Sequence, residues 1–91
     1  MTHFKFNKRL SFDKSEEIVK SLGGQLLNIH EAKQYVNGQP LYPGEEQWAA
    51  IKNPDGMQGN DYIQVCSGKH RPGTSYKEAH GSFPTWAHSF S

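Results

Sequence analysis

The first half of the chain carries a hydrophobic pattern that predicts two short helices. In the first segment, small or apolar residues recur at i, i+3, i+4 and i+7, the spacing of one helix face, and they are Ser15, Ile18, Val19 and Leu22. Asp13, three residues before Glu16, fits a capping box at the start of this helix. Gly23 and Gly24 then end it, because glycine enters the left-handed C-cap conformation at no steric cost.

The segment after the two glycines predicts a short strand and a second helix. The apolar residues of the strand are Leu26, Leu27 and Ile29. The second helix covers residues 30–36 and is stopped by Asn37 and Gly38. Residues 39–44 contain two prolines and predict a loop.

A third helix is predicted after this loop. Glu45 and Glu46 fit its N-terminus, where the helix dipole favours carboxylates. Trp48 and Ile51 are three residues apart and would share its inner face, although the sequence leaves open whether Trp48 lies on a helix or a strand. Asn53 opens the sequence NPDG, which predicts a type I turn.

Two strands complete the predicted fold. Phe4 and Phe6 alternate with polar neighbours and indicate an N-terminal strand, and DYIQVC, residues 61–66, is the best central strand. Beyond it, Gly, Pro, Ser and His prevail and indicate ordered loop. The sequence therefore predicts an α+β fold, a single domain over residues 1–91. Two to three short helices would pack on a small, mainly antiparallel sheet, followed by a loop-rich C-terminal third.

Composition limits what this domain can do. At 91 residues, folding buries only about 60–65% of the surface of the unfolded chain, so a large internal active-site cavity is not expected. Five Phe, four Tyr and two Trp supply concentrated apolar burial. Ten Lys plus Arg oppose nine Asp plus Glu, and no basic run occurs, so we expect no non-specific nucleic-acid binding.

Cysteine content and hydropathy give an expectation about location. The single cysteine, Cys66, excludes a disulfide within the chain, and the opening MTHFKFNKRL lacks the apolar stretch of a signal peptide. No apolar stretch approaches the roughly 20 residues that span a membrane. We therefore expect a cytoplasmic protein without membrane association, and a homo-oligomer is compatible with the sequence.

The run FDKSEEIVKSLGGQLLNIHEAKQYV followed by EEQWAAI resembles the N-terminal half of C-type-lectin-like domains. In those domains a helix ends at two glycines before a short strand and a second helix, and a later Trp-x-Gly element would fall at residues 48–50. The segment LYPGEEQWAAI is also similar to the Leu-Pro-Thr-Glu-Ala-Glu-Trp-Glu segment of formylglycine-generating-enzyme-like domains, which share that superfold. The two alignments are alternatives in detail.

The resemblance implies a scaffold rather than an activity. The family's disulfide cysteine in the first helix would fall near Val19, and the tripeptide Asn53-Pro54-Asp55 is not followed by the Trp-Asn-Asp element of calcium lectins. Calcium-dependent sugar binding is therefore disfavoured. The catalytic cysteines of formylglycine-generating enzymes cannot be carried over to a chain with one cysteine.

The candidate site lies in VCSGKHRPGTSY, residues 65–76. Glycine-rich backbone, an ammonium and a guanidinium are the components of an anion-binding loop, here around Lys69, His70 and Arg71. Trp86 and His88 follow in an aromatic-rich tail, and an aromatic face beside basic donors suits a nucleotide. The same aromatic residues could instead close the core, and the basic residues could form a solvated turn.

An enzymatic alternative rests on Cys66. Cysteine-dependent phosphatases use a Cys-x5-Arg loop whose thiolate attacks phosphorus, and Arg71 follows Cys66 with one residue fewer between them. This alternative is a small cysteine-dependent phosphatase or sulfurtransferase-like enzyme. The opposing interpretation is a buried, inert strand cysteine.

Other chemistry is less well supported by the residues. His70, His80 and His88, with Cys66 as a fourth ligand, match no compact zinc spacing, so no metal site is expected. No serine lies in a Gly-x-Ser-x-Gly turn, and no cofactor is implied. The favoured function is a non-enzymatic binding module of the accessory or phage-type inhibitor kind. It would bind a protein partner or a small anionic, nucleotide-like ligand through the loop 67–76 and the C-terminal tail.

Overall fold

The computed structural model describes residues 8–53, 60–81 and 88–90, and side chains at 10–53 and 60–81. The elements in chain order are β1 (Lys8–Leu10), α1 (Phe12–Ser21), α2 (Ile29–Val36), β2 (Trp48–Ile51), β3 (Asp61–Gln64), α3 (Tyr76–His80) and β4 (His88–Phe90). The predicted strand at Phe4 and Phe6, and the NPDG turn from Pro54 onwards, lie outside the described residues.

The strands form two antiparallel pairs. β1 pairs with β4, with Lys8 opposite Phe90 and Leu10 opposite His88. β2 pairs with β3, with Trp48 opposite Gln64. Within the described residues, three short helices accompany these two small sheets. The predicted α+β fold with a mainly antiparallel sheet is therefore confirmed.

α1 begins two residues earlier than the capping pattern predicted. Ser11 is the N-cap, and its hydroxyl accepts a hydrogen bond from the Lys14 amide, so Asp13 lies inside the first turn. At the other end, Leu22 is the C-cap and is 52% exposed, so its predicted place on the buried face is wrong. Gly23 follows with a φ of 80°, the left-handed conformation predicted for the stop.

The segment between α1 and α2 is not a strand, contrary to the prediction from Leu26, Leu27 and Ile29. Ile29 is already the first residue of α2, because Asn28 forms a capping box with Glu31 in which each side chain bonds the other's backbone amide. The second helix was predicted correctly to end at Asn37, which has a φ of 44°.

Residues 48–51 form a strand, so the predicted third helix there is wrong. Trp48 and Ile51 are both buried, as the helix pattern required, but β2 pairs along its length with β3. Its alanines are half-buried and fit a sheet as well as a helix. Pairing with a distant segment thus overrides the local helix pattern.

The C-terminal region contains a helix, α3, where only loop was predicted. Ser75 is its N-cap and accepts a hydrogen bond from the Glu78 amide at 3.1 Å, and Gly81 ends it with a φ of 81°. The sequence Ser75-x-x-Glu78 is the capping-box pattern and is the local signal for this helix among the surrounding Gly, Pro and Ser.

β3 lies between two apolar clusters. Ile63 belongs to the cluster Ile29, Ala32, Val36, Ile51, Ile63, Val65 and Cys66. Tyr62 belongs to the cluster Leu10, Trp48, Tyr62 and Tyr76. Successive strand residues point to opposite faces, so β3 is buried on both sides. The strand predicted for residues 61–66 is confirmed for Asp61–Gln64, and Val65 and Cys66 lie beyond its end. No described helix is long and apolar enough to cross a membrane.

Candidate functional site

The basic loop, residues 67–75, is attached to β3 mainly through one buried glutamine. The Gln64 side chain is fully buried, and its Nε2 donates hydrogen bonds to the carbonyl oxygens of Cys66, at 2.8 Å, and of His70. The Gln64 backbone also bonds Thr74 O at 2.9 Å and Gly73 N at 2.8 Å. Both ends and the middle of the loop are therefore held by a single residue.

A second attachment joins the loop to Glu46. The Lys69 amide donates a hydrogen bond of 3.0 Å to Glu46 Oε1. Gly68 makes this approach possible, because a Cβ at position 68 would lie 2.4 Å from Glu46 Cβ. Glu46 thus binds the loop instead of starting a helix. The Glu46 carboxylate accepts the hydrogen bond of the Lys69 amide, which is one of the backbone amides that the predicted anion-binding loop would offer to an anion.

Arg71 extends from the loop toward the end of α2. Its guanidinium lies so close to Gly38 that a Cβ at position 38 would be 2.8 Å from Arg71 Nη2. A cation near a helix C-terminus is stabilised by the helix dipole. Arg71 and Lys69 are both exposed, so the two cations remain open to solvent on the outer side of the loop.

His70, between the two cations, packs into a group of rings that we call the aromatic–histidine cluster: Trp48, His70, Tyr76 and His80. The His70 ring lies 6.3 Å from the Trp48 ring and 5.8 Å from the His80 ring, both in edge-to-face arrangements. His80 lies 4.3 Å from Tyr76. Trp48 and Tyr76 are buried beneath, whereas His70 is half-buried and His80 is exposed.

The structure brings together part of the predicted site and adds residues to it. Lys69, His70 and Arg71 lie together on one loop. Trp86 lies outside the described residues, and of His88 only the backbone in β4 is described. The aromatic floor beside the basic loop comes from Trp48 and Tyr76. The sequence pattern places Trp48 on a buried inner face, and the capping pattern at Ser75 is the local signal for α3, which carries Tyr76.

Cys66 does not lie in a nucleophile's environment. It is 0% exposed, and its Sγ lies 3.9 Å from Gln47 Oε1 and 4.0 Å from Pro43 O. Oxygen acceptors favour the protonated thiol, whereas a nucleophilic cysteine needs cations or amide donors that favour the thiolate. These contacts support the inert interpretation of Cys66 over the enzymatic one.

A buried carboxylate, Asp61, joins β3 to α3 beneath the cluster. Its Oδ1 accepts a hydrogen bond from the Tyr62 amide at 2.7 Å, and its Oδ2 accepts one from the Lys77 amide at 3.3 Å. Burial raises the pKa of Asp61 above its usual value, and the two backbone hydrogen bonds offset only part of this effect. Asp61 positions α3, and with it His80.

Within the described residues, no group of three or more His, Cys, Asp or Glu side chains is placed to hold a metal ion. Among the described side chains, Cys66 therefore does not join His70 and His80 in the four-ligand zinc site considered from the sequence. Cys66 packs against Pro43 and Gln47, whereas His70 and His80 pack against Trp48. Comparison of the chain with known protein families, curated proteins and solved structures gives no match.

Proposed function

We propose that this protein is a small non-enzymatic binding module. In this proposal the basic loop binds an anionic group, carried either by a protein partner or by a small nucleotide-like ligand. Lys69 and Arg71 supply the charge, and His70 supplies a further polar edge between them. The C-terminal tail, with Trp86 and His88, contributes to the same surface.

The observation that supports this proposal is the way the basic loop is held. The buried Gln64 amide uses its Nε2 to fix surface loop backbone at Cys66 and His70, although its Oε1 is buried without a hydrogen-bond partner among the described residues. Glu46 fixes the loop a second time at Lys69. A loop held in this way presents its side chains with little ordering cost on binding.

The buried thiol gives a reason to prefer binding over catalysis. A phosphatase or sulfurtransferase would need Cys66 exposed and ionised, and Arg71 beside it. Arg71 packs instead against Gly38, and Cys66 packs against Pro43 and Gln47. The proposal includes a cytoplasmic location and an accessory or phage-type inhibitor role. The likeness to C-type-lectin-like and formylglycine-generating-enzyme-like domains stays a prediction.

The test is a titration of the ¹⁵N-labelled protein, followed by amide chemical shifts, with inorganic phosphate, ATP and a short glutamate-rich peptide. We expect at least one probe to shift the amides of residues 67–75. The double variant Lys69→Ala/Arg71→Ala should lose these shifts.

The matched control is Lys14→Ala/Lys20→Ala, which removes two exposed cations from α1. It should retain the binding. Loop shifts that survive in the loop variant, or are lost equally in the control, would contradict a site at the basic loop. So would the absence of loop shifts with all three probes. Cys66→Ser should bind as the unaltered protein does.

A further inference from the structure

We propose that His70 and His80 form a two-histidine site for a divalent transition-metal ion of the zinc class. This inference is independent of anion binding by Lys69 and Arg71. It rests on the two imidazoles, which come from the basic loop and from the last residue of α3 and lie with their ring centres 5.8 Å apart.

The distance between the rings suits shared coordination. Imidazole nitrogens bind zinc at about 2.0–2.1 Å, which with a near-tetrahedral angle places the centres of two bound rings about 5 Å apart. The rings of His70 and His80 therefore need to approach each other by less than about 1 Å. The proposal requires that rotation about the side-chain torsions turns one nitrogen of each ring toward a common ion.

Both imidazoles are positioned in advance by the residues beneath them. The backbone of His70 is held by Gln64, and its ring contacts Trp48. The ring of His80 packs against Tyr76 at 4.3 Å and against Trp48 at 6.0 Å. Trp48 and Tyr76 are buried, whereas His70 is half-buried and His80 is exposed, so solvent reaches both imidazoles. Preorganised ligands lose less conformational freedom when a metal binds.

The remaining coordination positions would be open. Since no group of three or more His, Cys, Asp or Glu side chains is assembled for a metal within the described part of the chain, water or an external ligand would complete the coordination. Imidazole ligands suit Zn²⁺, Cu²⁺ and Ni²⁺ and disfavour Mg²⁺ and Ca²⁺. The neighbouring cations Lys69 and Arg71 oppose binding, and salt near physiological strength reduces that opposition.

The test measures Zn²⁺ binding to the untagged, full-length protein by calorimetry, with amide chemical shifts to locate the ion. We expect shifts at residues 69–71 and 79–81, and no comparable effect of Mg²⁺. His80→Ala and His70→Gln should each weaken Zn²⁺ binding about tenfold or more, because each removes one arm of a chelate. His30→Ala is the control, since His30 is exposed on α2, and it should leave the affinity unchanged.

Four outcomes would overturn the proposal: no Zn²⁺ binding by the unaltered protein, unchanged Zn²⁺ affinity in His80→Ala, equal weakening in His30→Ala, or shifts elsewhere in the chain. Circular dichroism of the metal-free variants establishes that they are folded. If the half-buried His70 does not tolerate replacement, His80→Ala decides the question alone, because the side chain of His80 is exposed.

Discussion

Residues 11–38 and residues 61–80 contain helices of similar kind, but they are held in place by different contacts. In the first region, hydrogen bonds of the caps join residues three apart, such as Ser11 with the Lys14 amide and Asn28 with Glu31. In the second, α3 also has a local cap, Ser75 with the Glu78 amide, but the Lys69 amide bonds Glu46, 23 residues earlier, and the Lys77 amide bonds Asp61. The first region is thus determined by its own sequence, whereas the basic loop depends on residues far along the chain.

The strongest way to test this difference is to remove Gln64. In Gln64→Leu, the carbonyls of Cys66 and His70 lose their donor, while the unpartnered buried Gln64 Oε1 is removed as well, so we expect a net loss of about 1–3 kcal/mol in the free energy of unfolding. Urea denaturation measures this loss. Amide exchange should accelerate in residues 67–75 more than in α1, because the loop is the part that Gln64 holds.

The control for this variant is Gln34→Leu, since Gln34 is exposed on α2. We expect it to change stability by less than about 0.5 kcal/mol. A loss in Gln64→Leu no larger than in the control, or exchange that rises equally in α1 and the loop, would show that the loop is not held by this side chain.

The next largest effect is expected at Gly68. Adding a methyl group in Gly68→Ala places Cβ 2.4 Å from Glu46 Cβ, so one backbone must move, and overpacking of this kind costs about 1–3 kcal/mol. Urea denaturation again gives the cost. The double variant Glu46→Gly/Gly68→Ala removes the opposing Cβ. If Glu46 is the cause, Gly68→Ala should cost less than about 1 kcal/mol in the Glu46→Gly background. An undiminished cost would contradict this contact.

A smaller and more local effect is expected for the cap of α2. Asn28→Ala removes the side-chain acceptor of the Glu31 amide, which costs about 1 kcal/mol. Chemical shifts should change around residues 27–32 and stay unchanged in the basic loop. Asn28→Ser, which restores a capping oxygen, should recover most of the loss. Perturbation of the loop by Asn28→Ala would mean that the two regions are more strongly coupled than their contacts indicate.

The same difference explains which elements the sequence predicts. α2 and its stop at Asn37 follow from adjacent residues, so they are predicted nearly to the residue. β2 has a helix-like spacing of Trp48 and Ile51, and only pairing with β3 makes it a strand. A single sequence carries no information about such pairing. The strand expected at Leu26 fails for the opposite reason, because the local cap at Asn28 starts a helix first.

The candidate site is predicted in part for similar reasons. Lys69, His70 and Arg71 are adjacent in the chain, so their grouping is visible without a structure. The ring floor of Trp48 and Tyr76 comes from two distant elements, and its assembly requires the fold. The sequence pattern predicts Glu46 at the N-terminus of a helix. Its role against the Lys69 amide could not be inferred from its position in the sequence.

The smallest expected effect concerns the ion pair between Lys33 on α2 and Glu78 on α3, which joins the two regions. Burial alone would raise the pKa of Glu78, but the hydrogen bond and charge of Lys33, with the Ser75 hydrogen bonds, lower it below its usual value. A carboxyl with a lowered folded-state pKa stabilises the fold above its unfolded-state pKa and loses this contribution as the pH falls through the folded-state pKa.

Both side chains are about half exposed, so Lys33→Ala should cost only about 0.2–1 kcal/mol at neutral pH, as measured by urea denaturation. The difference from the unaltered protein should shrink as Glu78 becomes protonated. Lys20→Ala breaks the Glu16 pair within α1, and its cost should lie in the same range without altering α3. An exposed ion pair contributes less than the buried hydrogen bonds of Gln64, so the amide chemical shifts of the basic loop should stay unchanged in Lys33→Ala. If Lys33→Ala instead disturbed the loop as Gln64→Leu does, the loop would depend on the helical region rather than on β3.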